Sequence, residues 1–300
     1  MLLLLACVPP DERTPTEEAS SETTLRFAFD LVAADVEIEL APYDPSSASP
    51  VGEVVYTFTG AAAAEGLALD APAAALRLVV DPEQAPEMRV ATFVPGLREQ
   101  GELVGVGQAW PTWVEGTIAG AYAEIGIVAG WNAVFIDAEH VMHAEDPLAI
   151  PIKADLRTVE SLVVSGGVGA NASAWIAALQ EETVLAETPV SAAWTLTVSG
   201  VPDGAVTLPI ANGTGVLAKL VAFDDRDGSG GYNTGDLTTH GICADGIPAM
   251  LGWFDPALDL ATALERQRRG QQNGWNIFAG TDFGVVSAGG LVADSDCAPS

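Results

Sequence analysis

The residues of this chain best suited to chemistry lie in one short stretch, DDRDGSGGYNTGD at 224–236. Asp225, Asp227, Ser229, Gly231 and Asn233 alternate along it, and Asp236 closes it. Alternate residues of a tight loop point to one side, so their carboxylate, hydroxyl, carbonyl and amide oxygens can converge. A hard divalent cation asks for that arrangement, since Ca2+ takes six to eight oxygens at about 2.3–2.6 Å. Gly230 supplies the freedom to turn the chain sharply around such an ion. The competing reading is an acidic Asp/Gly turn without metal.

Counted from Asp225, the stretch resembles the loop of EF-hand and dockerin proteins, whose ligands come from alternating positions and from the last one. The resemblance implies side-chain oxygens from Asp225, Asp227 and Ser229 and the main-chain carbonyl of Gly231. It further implies a direct or water-mediated contact from Asn233 and a closing carboxylate from Asp236. Asp236 is shorter than the usual closing Glu, and the flanking GVLAKLVAF and LTTHGICADG read as strands rather than helices. The expectation is a strand–loop–strand calcium site of the kind found in secreted β-domains. Its ion would be structural and weakly held, with a dissociation constant on the order of 10⁻⁴–10⁻³ M.

Other constellations carry less. In EHVMHAED, His140 and His143 could share a transition metal on a helix, but the His-Glu-x-x-His order is missing and a surface linker is the plainer reading. The sequence holds no Gly-x-Ser-x-Gly elbow, phosphate loop or dinucleotide fingerprint. Among 41 acidic residues, carboxylate pairs of the kind used in glycoside hydrolysis arise from composition alone. Seven tryptophans raise sugar stacking as an alternative, although Trp131 and Trp275 read as core anchors.

The elements that must position the loop are short strands. TLRFAFDLV, DVEIELAPY, GEVVYTFTG, AALRLVVD and MRVATFVPG form one series, and VESLVVSGG, ASAWIAALQ, SAAWTLTVSG, AVTLPIANG and VLAKLVAFDD a second. Each series ends on Gly-Trp-Asn, at 130–132 and 274–276, preceded by a Gly-rich loop and a strand. The expectation is a mainly β chain of two tandem β-sandwich-like domains, 23–146 and 147–300, joined through the proline-interrupted HAEDPLAIPIKAD. The first copy has FVPGLREQGELVGVGQ at the place of the acidic loop and no Asp there. One short helix is expected in the second copy, within DPALDLATALERQRRG. Asp255 would be its N-cap, Leu258, Ala261 and Leu264 its apolar face, and Gly270 its stop. Arg266, Arg268 and Arg269 read as compensation of the helix dipole.

A formal net charge of −29 repels phosphate backbones and anionic bilayers, which argues against nucleic acid as a partner. MLLLLAC resembles the lipobox of bacterial lipoproteins, and that likeness implies acylation of Cys7. The apolar run before it is short and uncharged, so residues 1–22 are expected to hold a truncated signal followed by a flexible tether, VPPDERTPTEEASSETT. No transmembrane helix is expected. Cys243 and Cys297 are either two buried thiols or a disulfide. Together these features point to a non-enzymatic cell-envelope lipoprotein that binds a protein or glycan partner or serves in surface architecture. The alternative is an envelope hydrolase or a carbohydrate-binding module.

Overall fold

The structure is a computed structural model that describes residues 23–31, 35–44, 47–72, 78–79, 87–118, 121–124, 126–135, 141–142, 147–168, 175–204, 206–208, 213–280, 284–294 and 297. Cys7, the tether, His140 and His143 lie outside these residues. The first strand series forms β1 (Thr24–Phe29), β2 (Val36–Asp44), β3 (Ser49–Pro50), β4 (Tyr56–Thr59), α1 (Gly60–Glu65), β5 (Leu67–Ala68) and β6 (Leu78–Val79). It continues with β7 (Arg89–Glu99), β8 (Glu102–Gly107), β9 (Ala109–Glu115), α2 (Ala121–Glu124), β10 (Gly130–Phe135), β11 (Val141–Met142) and β12 (Leu148–Lys153). The second series forms β13 (Ser161–Val168), β14 (Trp175–Gln180), β15 (Thr183–Pro189), β16 (Ala193–Ser199), β17 (Val206–Leu208) and β18 (Gly213–Asp224). It ends with β19 (Leu237–Ala244), β20 (Ile247–Phe254), α3 (Leu260–Arg268), β21 (Gly274–Ala279), β22 (Gly284–Val285) and β23 (Leu291–Asp294).

The chain is mainly β, and its two sheet bodies repeat one wiring. In the first, β7 pairs antiparallel with β2, β8 and β9, and β9 with β10. In the second, β18 pairs antiparallel with β14, β19 and β20, and β20 with β21. Each body is closed by a parallel pair, β1 with β12 and β13 with β23, whose later strand also pairs with β8 or β19. The Gly-Trp-Asn motifs occupy equivalent places. Trp131 stands opposite Trp113 and Trp275 opposite Trp253, each pair in edge contact at centroid distances of 5.5 and 5.6 Å.

The side-chain roles repeat as well. The Trp131 Nε1–H donates to Leu69 O and the Trp275 Nε1–H to Gly200 O, both at 3.1 Å. Asn132 donates to Val128 O and Gly130 O and accepts from Val128 N, while Asn276 treats Gln272 and Gly274 in the same way. Each Asn thus staples the preceding loop, whose Gly130 and Gly274 adopt φ of 97° and 77°. A β-carbon at Gly274 would strike the backbone of Val159, so that position admits glycine alone.

The structure places some expected boundaries differently. Leu148–Lys153 pairs with β1 and β8, so the first body extends past residue 146 and the connection is 154–160. Pro147 and Pro151 suggested a linker, yet Pro151 sits within β12 opposite Ala28 and its carbonyl accepts from Gln108 N. The helix begins later than expected: Asp259, not Asp255, is the N-cap and accepts from Thr262 N at 2.8 Å. Its buried face is Leu260, Ala263 and Leu264, while Leu258 is 83% exposed. Gly270 does end it, with φ of 66°.

Helix α3 belongs to the second series but packs on the outer face of the first body. Leu260, Ala263 and Leu264 join Ala41, Val94, Leu103, Val106 and Trp110 in one buried cluster, and Gly96 leaves room for Leu260. Burying such a leucine contributes about 1.5–3 kcal/mol. Polar contacts fix the register: Arg98 donates to Leu258 O, Gln267 to Val106 O, Arg268 to Ala48 O and Asn273 to Leu103 O. Arg269 makes an i,i+4 pair with Glu265 at 2.7 Å, as dipole compensation allows. Arg266 does otherwise. It is 1% exposed, lies over the Phe254 ring, and donates to Asp255 O and Asn273 Oδ1; burial lowers its pKa to about 10.

Candidate metal centre

The acidic stretch is the connection between β18 and β19. Its equivalent in the first body, between β7 and β8, is the two-residue turn Gln100–Gly101, with φ of 53° and 88°. In the second body residues 225–236 replace that turn. The loop is held down by an aromatic layer: Tyr232 meets Phe223 edge-on at 5.2 Å, and Trp175 stacks on the same ring at 6.2 Å. Both ladders shift register here, which puts Phe223 where the first body has Arg98. Arg98 there pairs with Glu39 at 2.6 Å beneath α3, while the second body covers Ala177, Leu179, Val221 and Phe223 with the loop's Tyr232, Trp175 and Val184.

Within the loop Asp225, Asp227 and Asp236 come together, with one carboxylate oxygen of each within 4.8 Å of the others. Backbone donors orient them. Ser229 N donates to Asp225 Oδ1 and Asp227 Oδ1 at 3.0 and 2.9 Å, and Gly230 N to Asp225 Oδ2 at 2.8 Å. Arg226 N and Asn233 N donate to the two oxygens of Asp236 at 3.0 and 2.9 Å. Gly228 and Gly230 make the wrap possible with φ of 69° and 83°. Hydrogen bonds from Ser229 favour the charged form of Asp227 and hold it below the ordinary Asp value.

Ser229 also reaches the cluster through its N–H, and its Oγ donates to Gly231 O at 3.0 Å. Asn233 presents its amide nitrogen there, donating to Asp227 Oδ2 and Ser229 Oγ at 3.1 Å, and its Oδ1 accepts from Gly235 N. The donor set suits a hard cation, because each carboxylate oxygen that accepts one N–H retains a second lone pair. Asn233 would contribute its oxygen only after its amide turns over, or would act through water. The six residues singled out in the sequence are linked in one loop by hydrogen bonds, and three of them, Asp225, Asp227 and Asp236, converge.

Sequence reasoning missed Glu187. It stands on β15, its Oε2 accepts from Tyr232 N at 2.8 Å, and a β-carbon on Gly231 would collide with its carboxylate. Only strand pairing brings position 187 beside position 231, so no local signal could have named it. Cys243 and Cys297 form a disulfide with Cα atoms 6.0 Å apart, and Gly241 N donates to Cys297 O at 2.7 Å. This ties Cys297 to β19. Trp110, Trp113, Trp131, Trp194, Trp253 and Trp275 are buried, and Trp175 is half-buried against Phe223. Their faces are spent on the core. Among the described residues no helix is long and apolar enough to cross a membrane. Comparison with known protein families, curated proteins and solved structures finds no match to this chain.

Proposed function

We propose that this chain is a non-enzymatic protein of the bacterial cell envelope, lipid-anchored through Cys7, whose second body is stabilised by Ca2+. Asp225, Asp227, Ser229, Gly231, Asn233 and Asp236 would hold the ion. Its chemistry there is charge neutralisation: it compensates three carboxylates that repel one another and fixes a loop that also covers part of the sheet. The observation that carries this reading is the convergence of the three carboxylates within 4.8 Å on a glycine-wrapped loop. The buried Cys243–Cys297 disulfide supports an exported address, because such bonds persist in oxidising compartments. With six buried tryptophans, the role of the two bodies is binding or surface architecture with a protein or glycan partner rather than sugar stacking on exposed rings.

The test is calorimetric titration of CaCl2 into the chain. One site with a dissociation constant of about 10⁻⁴–10⁻³ M is expected, and it is lost in Asp225→Ala/Asp227→Ala. At about 5 mM calcium that range of affinity adds about 1–2 kcal/mol to stability, a rise of a few degrees in Tm. No heat and no shift in Tm would overturn the calcium reading. Labelling with a radioactive fatty acid in bacterial cells, lost in Cys7→Ala, tests the anchor separately.

A further inference from the structure

Among the described residues β15 and β16 lie side by side without pairing, joined at one end by residues 190–192. At the other end, where β15 begins and β16 ends, a cleft of about 340 Å3 opens. Val184 and Leu185 line it from one side, Val201 and Pro202 from the other, and Trp275 lies deepest, only 2% exposed. Its two sides are fixed in place. Gln180 Nε2, at the end of β14, donates to Asp203 O beyond β16 at 2.6 Å, and the Trp275 Nε1–H holds Gly200 O. A preformed cleft of this volume is large enough for a small organic ligand.

The first body has the same seam and fills it. There α1 joins β4 to β5, and Tyr56 on β4 stands opposite Leu40, as Ala186 on β15 stands opposite Ala178. Leu40 and Ala178 are equivalent: each faces the residue two places before the register shift of its ladder at Leu97 or Ala222. Tyr56 packs on the first core and meets Phe93 edge-on at 5.7 Å, and burial together with the charge of Asp70, which follows Leu69, raises its pKa. Leu69 is buried beside it. In the second body Ala186 stands for Tyr56 and Gly200 for Leu69, since Gly200 O takes the indole bond that Leu69 O takes in the first. A β-carbon at Gly200 would meet open space. The second seam therefore lacks one aromatic ring and one leucine side chain.

The lining decides what can replace them. Aliphatic walls over an indole suit a ring, while Glu181 and Asp203 also line the cleft and, among the described residues, no basic side chain does. A carboxylate ligand is repelled there and an ammonium group attracted. We propose that this cleft binds a small arylalkylammonium ligand, its ring above Trp275 between Leu185 and Val201 and its ammonium group at Glu181 and Asp203. With exposed charge contacts and few atoms to bury, the ligand is held with a dissociation constant of about 0.1–1 mM.

Titration of the full chain with phenethylamine to about 5 mM at neutral pH, read by isotope-labelled indole N–H signals in NMR, tests this. The Trp275 signal should shift and saturate, while that of Trp131, beneath the filled seam, stays in place. Hydrocinnamate, with the same ring and the opposite charge, should leave Trp275 unmoved. Glu181→Gln/Asp203→Asn should weaken binding about tenfold. Ala186→Tyr, which supplies the ring present in the first body, should abolish the response. A Trp275 signal that phenethylamine does not move, or that hydrocinnamate moves equally, overturns the proposal. So does an affinity unchanged in either variant, each checked for folding by circular dichroism.

Discussion

Leu260→Ala tests whether α3 holds the two bodies together. Leu260 is 4% exposed, and its side chain fills the space above Gly96 among Val94, Leu103 and Val106. Truncation of a buried leucine to alanine costs about 2–5 kcal/mol, and a rigid sheet below Leu260 allows little collapse, so about 3 kcal/mol is the expected loss. With a urea m-value of about 3 kcal/mol/M for a chain of this size, the midpoint falls by about 1 M. Tryptophan fluorescence reads both bodies, because Trp110, Trp113 and Trp131 lie in the first and Trp194, Trp253 and Trp275 in the second. Wild type should unfold in one transition. A β-carbon on Gly96 would fall on Leu260 Cδ2 and within 3.0 Å of Leu103 Cδ2, so Gly96→Ala alone overpacks the site by about 1–3 kcal/mol. In that background Leu260→Ala should cost clearly less than it does alone. A shift below about 0.2 M, or additive costs in the double variant, would refute the packing argument.

Asn276→Ala removes two donated bonds and one accepted bond that staple Gln272 and Gly274, and should cost about 2–3 kcal/mol in urea unfolding; Asn132→Ala should cost a similar amount in the other body. Cys243→Ser/Cys297→Ser opens a link across 54 residues of sequence, which chain entropy puts at up to about 4 kcal/mol, visible as a lower Tm in the absence of reductant. The pKa of Asp227 is depressed in the fold, so its contribution is present above the ordinary Asp pKa of 3.8 and is lost as pH falls through the lower folded value. Carbon-detected NMR should show Asp227 titrating below 3.8, and Ser229→Pro, which removes the donor N–H, should move it back up.

Much of this architecture was legible because its signals are local. The alternation of the strands is a local pattern, and the two Gly-Trp-Asn motifs meet requirements that a few neighbouring residues satisfy: a positive φ and an Asn staple. The convergence of Asp225, Asp227 and Asp236 was legible for the same reason, since these residues and the turn glycines lie within one stretch. Misplaced features depended on partners distant in sequence. Pro151 looked like an interruption, but β12 lies against β1 with its carbonyl paired to Gln108. Asp255 and Asp259 both precede apolar residues; the choice of Asp259 comes from Leu260, Ala263 and Leu264 meeting the first body's outer face, a surface made by β2, β7, β8 and β9. Arg266 read as one of three arginines compensating the helix dipole, but Asp255 O, Asn273 and Phe254 enclose it. Glu187 was hidden for the same reason.

The most direct measurement of the central claim is luminescence of Tb3+, a hard cation that accepts excitation energy from nearby tyrosine and tryptophan. Tyr232 lies inside the loop and Trp175 stacks on the ring beneath it. Excitation of these rings should give sensitised Tb3+ emission that Ca2+ displaces in the millimolar range and that Asp225→Ala/Asp227→Ala abolishes. Absence of sensitised emission from the folded chain, or emission that survives in the double variant, would contradict the assignment of 225–236 as a cation site.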